Sequence, residues 1–84
     1  MTPEQIEAVI LELCQRRGVG RTICPSEAAR ALANRGEDWR SLMDSVREVG
    51  KTLSSRGRIA ITQRGQVVDI AVAKGLIRFG LPQC

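Results

Sequence analysis

The stretch Ser54-Ser-Arg-Gly-Arg-Ile-Ala-Ile-Thr-Gln-Arg-Gly-Gln-Val-Val-Asp69 holds two strand-like segments on either side of a glycine-containing turn. Ile59 and Ile61 alternate with polar or small residues, so one face of the first strand can be buried while the other carries charge. Arg64-Gly65 is the predicted turn, since glycine accepts a positive φ without steric cost. Residues 58–70 are therefore predicted to form a basic β-hairpin, which we call the wing.

A lone hairpin is marginally stable in water, so the wing needs helices against which its apolar face can pack. The first helix is predicted over residues 3–17. Thr2, Pro3 and Gln5 form a capping-box pattern at its start, and Met1 is placed to pack on Ile6 as a hydrophobic staple. Its buried stripe is predicted to contain Ile6, Val9, Ile10, Leu13 and Cys14.

Two further helices are predicted before the wing. One covers residues 25–34 and begins at Cys24-Pro25, where a cysteine takes the place of the usual serine or aspartate cap. Asn34-Arg-Gly-Glu37 interrupts the pattern, and Asp38 then caps a longer helix over residues 38–56. The apolar side of this third helix is predicted to carry Trp39, Leu42, Met43, Val46, Val49 and Leu53.

The order of these elements is helix, short extended segment at 22–24, helix, turn, longer helix and β-hairpin. This is the order of a winged helix-turn-helix, an α+β fold of three helices and a small antiparallel wing. With 84 residues and no internal repeat or linker, the chain is predicted to form one domain over 1–84. A further strand is predicted at 76–79, and Val68 and Ile70 are expected to line the inner face of the returning wing strand.

Four segments resemble a small bacterial family known only as a domain of unknown function. They are Thr22-Ile-Cys-Pro-Ser-Glu-Ala-Ala-Arg30, Trp39-Arg-Ser-Leu-Met-Asp-Ser-Val-Arg47, Arg56-Gly-Arg-Ile-Ala-Ile-Thr-Gln-Arg-Gly-Gln-Val-Val-Asp69 and Lys74-Gly-Leu-Ile-Arg78. The resemblance implies a winged-helix-like fold in a bacterial cytosolic protein and no established activity. The chain departs from the family at Ile70 and Leu76, where that family often has proline.

The positive charge is concentrated in the C-terminal half of the chain. The net charge is +4, yet residues 1–42 carry six basic and six acidic residues, whereas residues 43–84 carry seven and three. Clustered positive charge attracts phosphates and releases counterions on binding. We therefore expect a non-catalytic protein that binds nucleic acid, with duplex DNA as the favoured partner and a transcription-regulator-like role.

The expected contacts lie on the third helix and the wing. Arg40 and Arg47 are assigned to the DNA groove or its rim, Lys51 to a phosphate, and Arg58 with Arg64 to a backbone or minor-groove contact. Asp44 and Glu48 share the outward face of the helix and argue against routine insertion into a major groove. A second interpretation is that these arginines merely keep a solvated strand edge from aggregating.

The residues that usually carry catalysis are scarce. The chain has no histidine, and Cys14, Cys24 and Cys84 form no metal-binding or redox pair. No enzyme activity, cofactor or metal is therefore expected. Cys14 is predicted to fill the core and Cys84 to be exposed, whereas Cys24 could be structural or, at the start of a helix, a reactive thiol.

Aromatic residues are also few, with one Trp, one Phe and no Tyr. Trp39 is predicted to pack against the second helix rather than to stack on bases, so recognition of single strands by stacking is not expected. The chain contains no apolar run long enough to span a membrane and no signal-peptide pattern. A cytoplasmic protein with reduced thiols is the expectation.

The alternative function is a protein interaction or dimerisation module, because winged-helix folds serve both purposes. Its candidate surface combines the mixed-charge face of the third helix with Leu76, Ile77 and Phe79. These three apolar residues could instead complete the domain's own sheet, and this second arrangement is favoured.

Overall fold

The computed structural model describes residues 2–33, 38–70, 73 and 75–82. In these ranges the chain forms three helices and a four-stranded antiparallel sheet in a winged-helix-like arrangement, which confirms the predicted α+β class. The elements are α1 (Pro3–Arg17), β1 (Thr22–Ile23), α2 (Pro25–Leu32), a 3-10 helix (Trp39–Leu42), α3 (Met43–Ser55), β2 (Ala60–Gln63), β3 (Gln66–Val67) and β4 (Arg78–Gly80).

Helix α1 begins and ends where the sequence predicts. The Gln5 N–H donates to Thr2 Oγ1 at 3.2 Å, and the Thr2 N–H donates to Gln5 Oε1 at 2.9 Å. This reciprocal capping box satisfies donors that have no partner inside the helix. The predicted stripe is confirmed, with Ile6, Ile10 and Cys14 fully buried and its other two members packed at the edge of the core. The predicted staple involves Met1, which lies outside the described residues.

Helix α2 begins after Cys24 without the usual oxygen cap. The Cys24 N–H donates to Glu27 Oε1 at 3.2 Å, and the Ser26 hydroxyl donates to Cys24 Sγ at 3.2 Å. Glu27 thus supplies half of a capping box and places its carboxylate at the positive end of the helix dipole. Helix α2 ends at Leu32, two residues before the predicted end, because Ala33 adopts an extended backbone conformation. The turn predicted at 34–37 lies outside the described residues.

The third helix differs from its prediction in its first turn, since Trp39–Leu42 is a 3-10 helix and the α-helix begins at Met43. Asp38 explains the difference. Its Oδ1 accepts the Arg40 N–H at 3.0 Å, and its carbonyl oxygen accepts both the Ser41 N–H at 3.2 Å and the Ser41 hydroxyl at 2.7 Å. These short-range bonds favour the tighter i to i+3 geometry over the α-helix.

The C-terminal strand is the largest departure from the predicted fold. It covers Arg78–Gly80 rather than 76–79, and it lies inside the sheet, whose strand order is β1-β4-β2-β3. Phe79 pairs with Ile23 on one side and Ile61 on the other, and all three side chains are buried. The sheet therefore packs on the helices through a row of side chains contributed by three separate parts of the chain.

The wing hairpin forms between β2 and β3, but its returning strand is shorter than predicted. Arg64 has φ 53° and Gly65 has φ 82°, the two positive values of a type I′ turn. Strand β3 contains only Gln66–Val67, at the edge of the sheet, so Val68 and Ile70 lie beyond it. Both of these side chains still pack against the core, as predicted.

Arg64 lies in the left-handed region, which an arginine side chain disfavours. Asparagine tolerates this conformation better, so Arg64→Asn is expected to raise the free energy of unfolding by about 0.5 kcal/mol, although it removes a charge. Chemical denaturation of the parent and the variant checks this. Lower stability in the variant would show that the arginine makes a contact the turn needs.

Candidate nucleic-acid interface

The outward face of α3 carries both signs of charge, as predicted. Val46, Gly50 and Leu53 are buried, whereas Asp44, Glu48, Lys51 and Ser55 are exposed and Arg47 lies half-buried at the boundary. Arg47 and Lys51 are four residues apart, so they lie next to each other on the helix surface. The structure thus brings together these two of the five predicted binding residues.

The two acidic residues of this face are displaced toward α1. Asp44 and Glu48 line a groove of about 440 Å³ with Pro3, Ile6, Ser45, Val49 and Thr52. Arg47 does not line this groove, and the 100° step between successive helical residues places it on the opposite flank of the outward face. A polyanion that approaches from the Arg47 side therefore meets fewer carboxylates than the sequence alone suggests.

The arginines at the end of α1 differ in their partners from the basic side chains of the C-terminal half. In the N-terminal half, Arg16 pairs with Glu12 at 2.7 Å and Arg17 with Glu27 at 3.5 Å. In the C-terminal half, no described basic side chain forms an ion pair with a described residue. Arg78 is hydrogen-bonded to Thr22, and the other five are Arg47, Lys51, Arg56, Arg58 and Arg64. These five charges are thus not neutralised by a described side chain.

Arg58 and Arg64 are both exposed but do not form one patch. The Arg58 N–H donates to the Leu53 carbonyl at 2.9 Å and closes the end of α3, so Arg58 lies at the junction of helix and sheet. Arg64 lies at the tip of the hairpin, six residues further on. An extended chain of this length spans about 20 Å, so the two guanidinium groups mark opposite ends of the wing.

Arg40 lies apart from the other predicted residues, at the 3-10 helix that precedes α3. Its guanidinium carbon is 4.6 Å from the centroid of the Trp39 ring, and its Nη1 is 3.9 Å from Asp38 Oδ1. Arg30, on α2, lies over the same ring at 4.6 Å. The predicted packing of Trp39 on the second helix is confirmed, and the ring also contacts two cations.

The sequence analysis did not include Arg30 or Arg78 among the predicted binding residues. Arg78 lies on the outward face of β4, where it donates from Nε to Thr22 Oγ1 and from Nη2 to the Thr22 carbonyl at 3.3 Å. The alternation of buried Ile77 and Phe79 with Arg78 was a signal for this placement. The signal for Arg30 was weaker, since only the adjacent Trp39-Arg40 pair suggests a cation at an aromatic ring.

The two described cysteines differ in their surroundings. Cys14 is buried in the core as predicted, and burial, with a smaller contribution from the negative charge of Glu27, raises its pKa to about 11. Cys24 is half-buried and also free of a disulfide. Cys84 lies outside the described residues. The Cys24 Sγ accepts a hydrogen bond from the Ser26 hydroxyl at 3.2 Å, and the reactivity of this thiol stays a prediction.

The Cys14 thiol should resist alkylation until the chain unfolds. At pH 8 we expect iodoacetamide to modify Cys24 in the native protein while Cys14 reacts only in denaturant, as measured by mass spectrometry of peptides. Above pH 9 the unfolded chain loses the Cys14 proton before the native protein does, so the contribution of Cys14 to stability should decrease between about pH 9 and 11. Rapid native alkylation of Cys14 would contradict its burial.

The described ranges contain no group of three or more Cys, Asp or Glu side chains placed to hold a metal ion. None of the helices in these ranges is long and apolar enough to span a bilayer.

The candidate site is a cationic surface on a small winged-helix-like α+β domain. No curated protein matches the sequence. Residues 3–82 match the family described as protein of unknown function (DUF3253), and the chain belongs to that family.

Proposed function

We propose that this protein is a non-catalytic, transcription-regulator-like DNA-binding domain that contacts the phosphates of duplex DNA and uses no cofactor or metal. Its contacts are Arg47 and Lys51 on α3, Arg58 and Arg64 at the two ends of the wing, and Arg40 at the rim. The observation that carries the proposal is the absence of ion pairs, among the described residues, at Arg47, Lys51, Arg58 and Arg64, in contrast to the paired arginines of α1.

The charge distribution supports phosphate contact more than base reading. Asp44 and Glu48 occupy positions that base-reading side chains would need, whereas Arg47 and Lys51 lie together on the flank away from the acidic groove. Contacts to phosphate fix orientation and carry little sequence information. We therefore expect binding with a Kd of about 1–100 μM at physiological salt and weak sequence preference.

The double variant Arg58→Gln/Arg64→Asn tests the contribution of the wing. It removes two exposed charges, and asparagine keeps the Arg64 turn unstrained. We expect binding to labelled duplex DNA, measured by fluorescence anisotropy, to weaken at least tenfold at about 0.1 M salt, because about two counterions fewer are released.

The matched control is Arg16→Gln/Arg17→Gln, which removes the same charge from α1, where both arginines are already paired. The control should bind within about twofold to threefold of the parent, since it alters only the long-range field. Equal losses in the two variants would mean that net charge alone, and not the wing, drives binding. An unchanged affinity in the wing variant would contradict the proposed contacts.

A protein interaction module is the second candidate, and the structure leaves fewer of the predicted residues available for its surface. Ile77 and Phe79 are buried in the core, so the favoured expectation that they complete the domain is confirmed for these two, while Leu76 is 85% exposed. Val67 is also 75% exposed. A concentration-dependent sedimentation coefficient that Leu76→Ser abolishes would support a homodimer through this part of the surface, and a constant monomer value would exclude one.

A further inference from the structure

Arg30, Trp39 and Arg40 form a compact unit that the proposed function does not yet use, and we call it the tryptophan cluster. Both guanidinium carbons lie 4.6 Å from the centroid of the same indole ring. The two arginines come from different elements, α2 and the 3-10 helix, so the fold brings them together. Because both cations lie at one ring, each adds to the positive potential that an anion near the ring would meet.

We propose that the tryptophan cluster binds a backbone phosphate of duplex DNA, with Arg30 as a DNA contact that adds to those named above. This inference rests on the proposed function. A guanidinium that stacks on an indole ring keeps its N–H edge free to donate to phosphate oxygens. Contact with the ring also restricts an arginine side chain, so phosphate binding costs less conformational entropy than it would with two arginines that contact nothing.

The local charges favour an anion at this place. Asp38 is the carboxylate that pairs with Arg40, at 3.9 Å, and its Oδ1 also accepts the Arg40 N–H at 3.0 Å. Both side chains of this pair are largely exposed, so the pair is weak. Arg30 forms no ion pair with any residue in the described part of the chain. Among the residues that the structure describes, two arginines and one carboxylate meet here, so their summed charge is positive.

The position of the cluster also fits an extended interface. Trp39–Leu42 runs directly into α3, whose exposed surface carries Arg47 and Lys51, and Arg58 closes the other end of that helix. From residue 40 to residue 55, where α3 ends, the helical rise is about 24 Å, which is enough to contact several successive phosphates. The tryptophan cluster would hold one end of the duplex contact and the wing the other.

The test is a set of anisotropy titrations with one labelled duplex at several salt concentrations. Arg30→Gln should weaken binding about fivefold at about 0.1 M salt and reduce the slope of log K against log salt by about 0.9. Arg30→Lys keeps the charge without the planar stack, so it should restore the slope while the affinity stays below that of the parent. Arg16→Gln, the matched control, should bind within about twofold of the parent.

Trp39→Leu gives an independent readout, because it removes the platform and no charge. It should weaken binding about threefold with an unchanged salt slope, provided that circular dichroism shows a folded domain. If Arg30→Gln binds as Arg16→Gln does while the parent binds DNA, the cluster is structural and this inference is wrong, although the proposed function stands. If the parent does not bind duplex DNA at low salt, both fail.

Discussion

Phe79→Ala is expected to cost about 3–5 kcal/mol of unfolding free energy, which is most of the stability of a domain of this size. Phe79 is fully buried in the central strand, between Ile23 and Ile61 of the neighbouring strands. Its removal leaves a cavity where the sheet meets the helices. The neighbouring side chains of β1 and β2 cannot fill this cavity unless both strands move. The variant should be largely unfolded at 37 °C.

Thermal and urea denaturation followed by circular dichroism measure this loss. Val67→Ala is the control, because Val67 lies on the edge strand of the same sheet and is 75% exposed. The control should change the unfolding free energy by less than about 1 kcal/mol. If Phe79→Ala were as stable as Val67→Ala, the C-terminal segment could not form the central strand of the sheet.

Gly50→Ala is expected to lower the unfolding free energy by about 2 kcal/mol, although alanine is intrinsically about 1 kcal/mol better than glycine inside a helix. A Cβ atom at residue 50 would lie 2.5 Å from Phe79 Cζ and 2.8 Å from Phe79 Cε1. The ring is fully buried, so it cannot move away from residue 50 into solvent. In an 84-residue domain this loss corresponds to a melting temperature about 10 °C lower.

Two comparisons isolate the contact between Gly50 and Phe79. Thr52→Ala, at an exposed position of the same helix, should leave the stability nearly unchanged. Phe79→Leu shortens the side chain that opposes residue 50, so Gly50→Ala should cost less in that background, with a coupling energy of about 1 kcal/mol. A stabilising effect of Gly50→Ala in the parent would show that α3 and β4 are further apart than described.

Local signals predicted much of this fold. The capping box at Thr2 and Gln5 depends on neighbouring residues, so pattern and structure agree on where α1 begins. The Arg64-Gly65 turn is also local, and glycine identifies it. The 3-10 helix was not predicted because an aspartate at position 38 can cap either a 3-10 helix or an α-helix.

Long-range partners explain what the sequence could not show. In the sequence, Phe79 belongs to a short apolar segment. Its central place in the core follows only from the pairing of its strand with β1 and β2. No local sequence pattern indicates that Gly50 must lack a side chain, since this requirement comes from the Phe79 ring, 29 residues away in the chain. The same limit applies to the site, where Arg78 meets Thr22 and Arg30 meets Trp39 across different elements.

The proposed contacts imply two levels of specificity. Phosphate contacts by separate cations would position the domain on any duplex. Base reading would require Arg47 to enter the groove although Asp44 and Glu48 lie on the same face of α3. Sequence preference is therefore expected to be modest.

The most direct test of duplex binding is the salt dependence of affinity for one labelled mixed-sequence duplex and for its single strand, by fluorescence anisotropy. Three to five phosphate contacts predict a slope of log K against log salt between about −3 and −4.5, with tighter binding to the duplex. No binding at low salt, or equal binding of both strands and duplex with a slope near zero, would contradict the account.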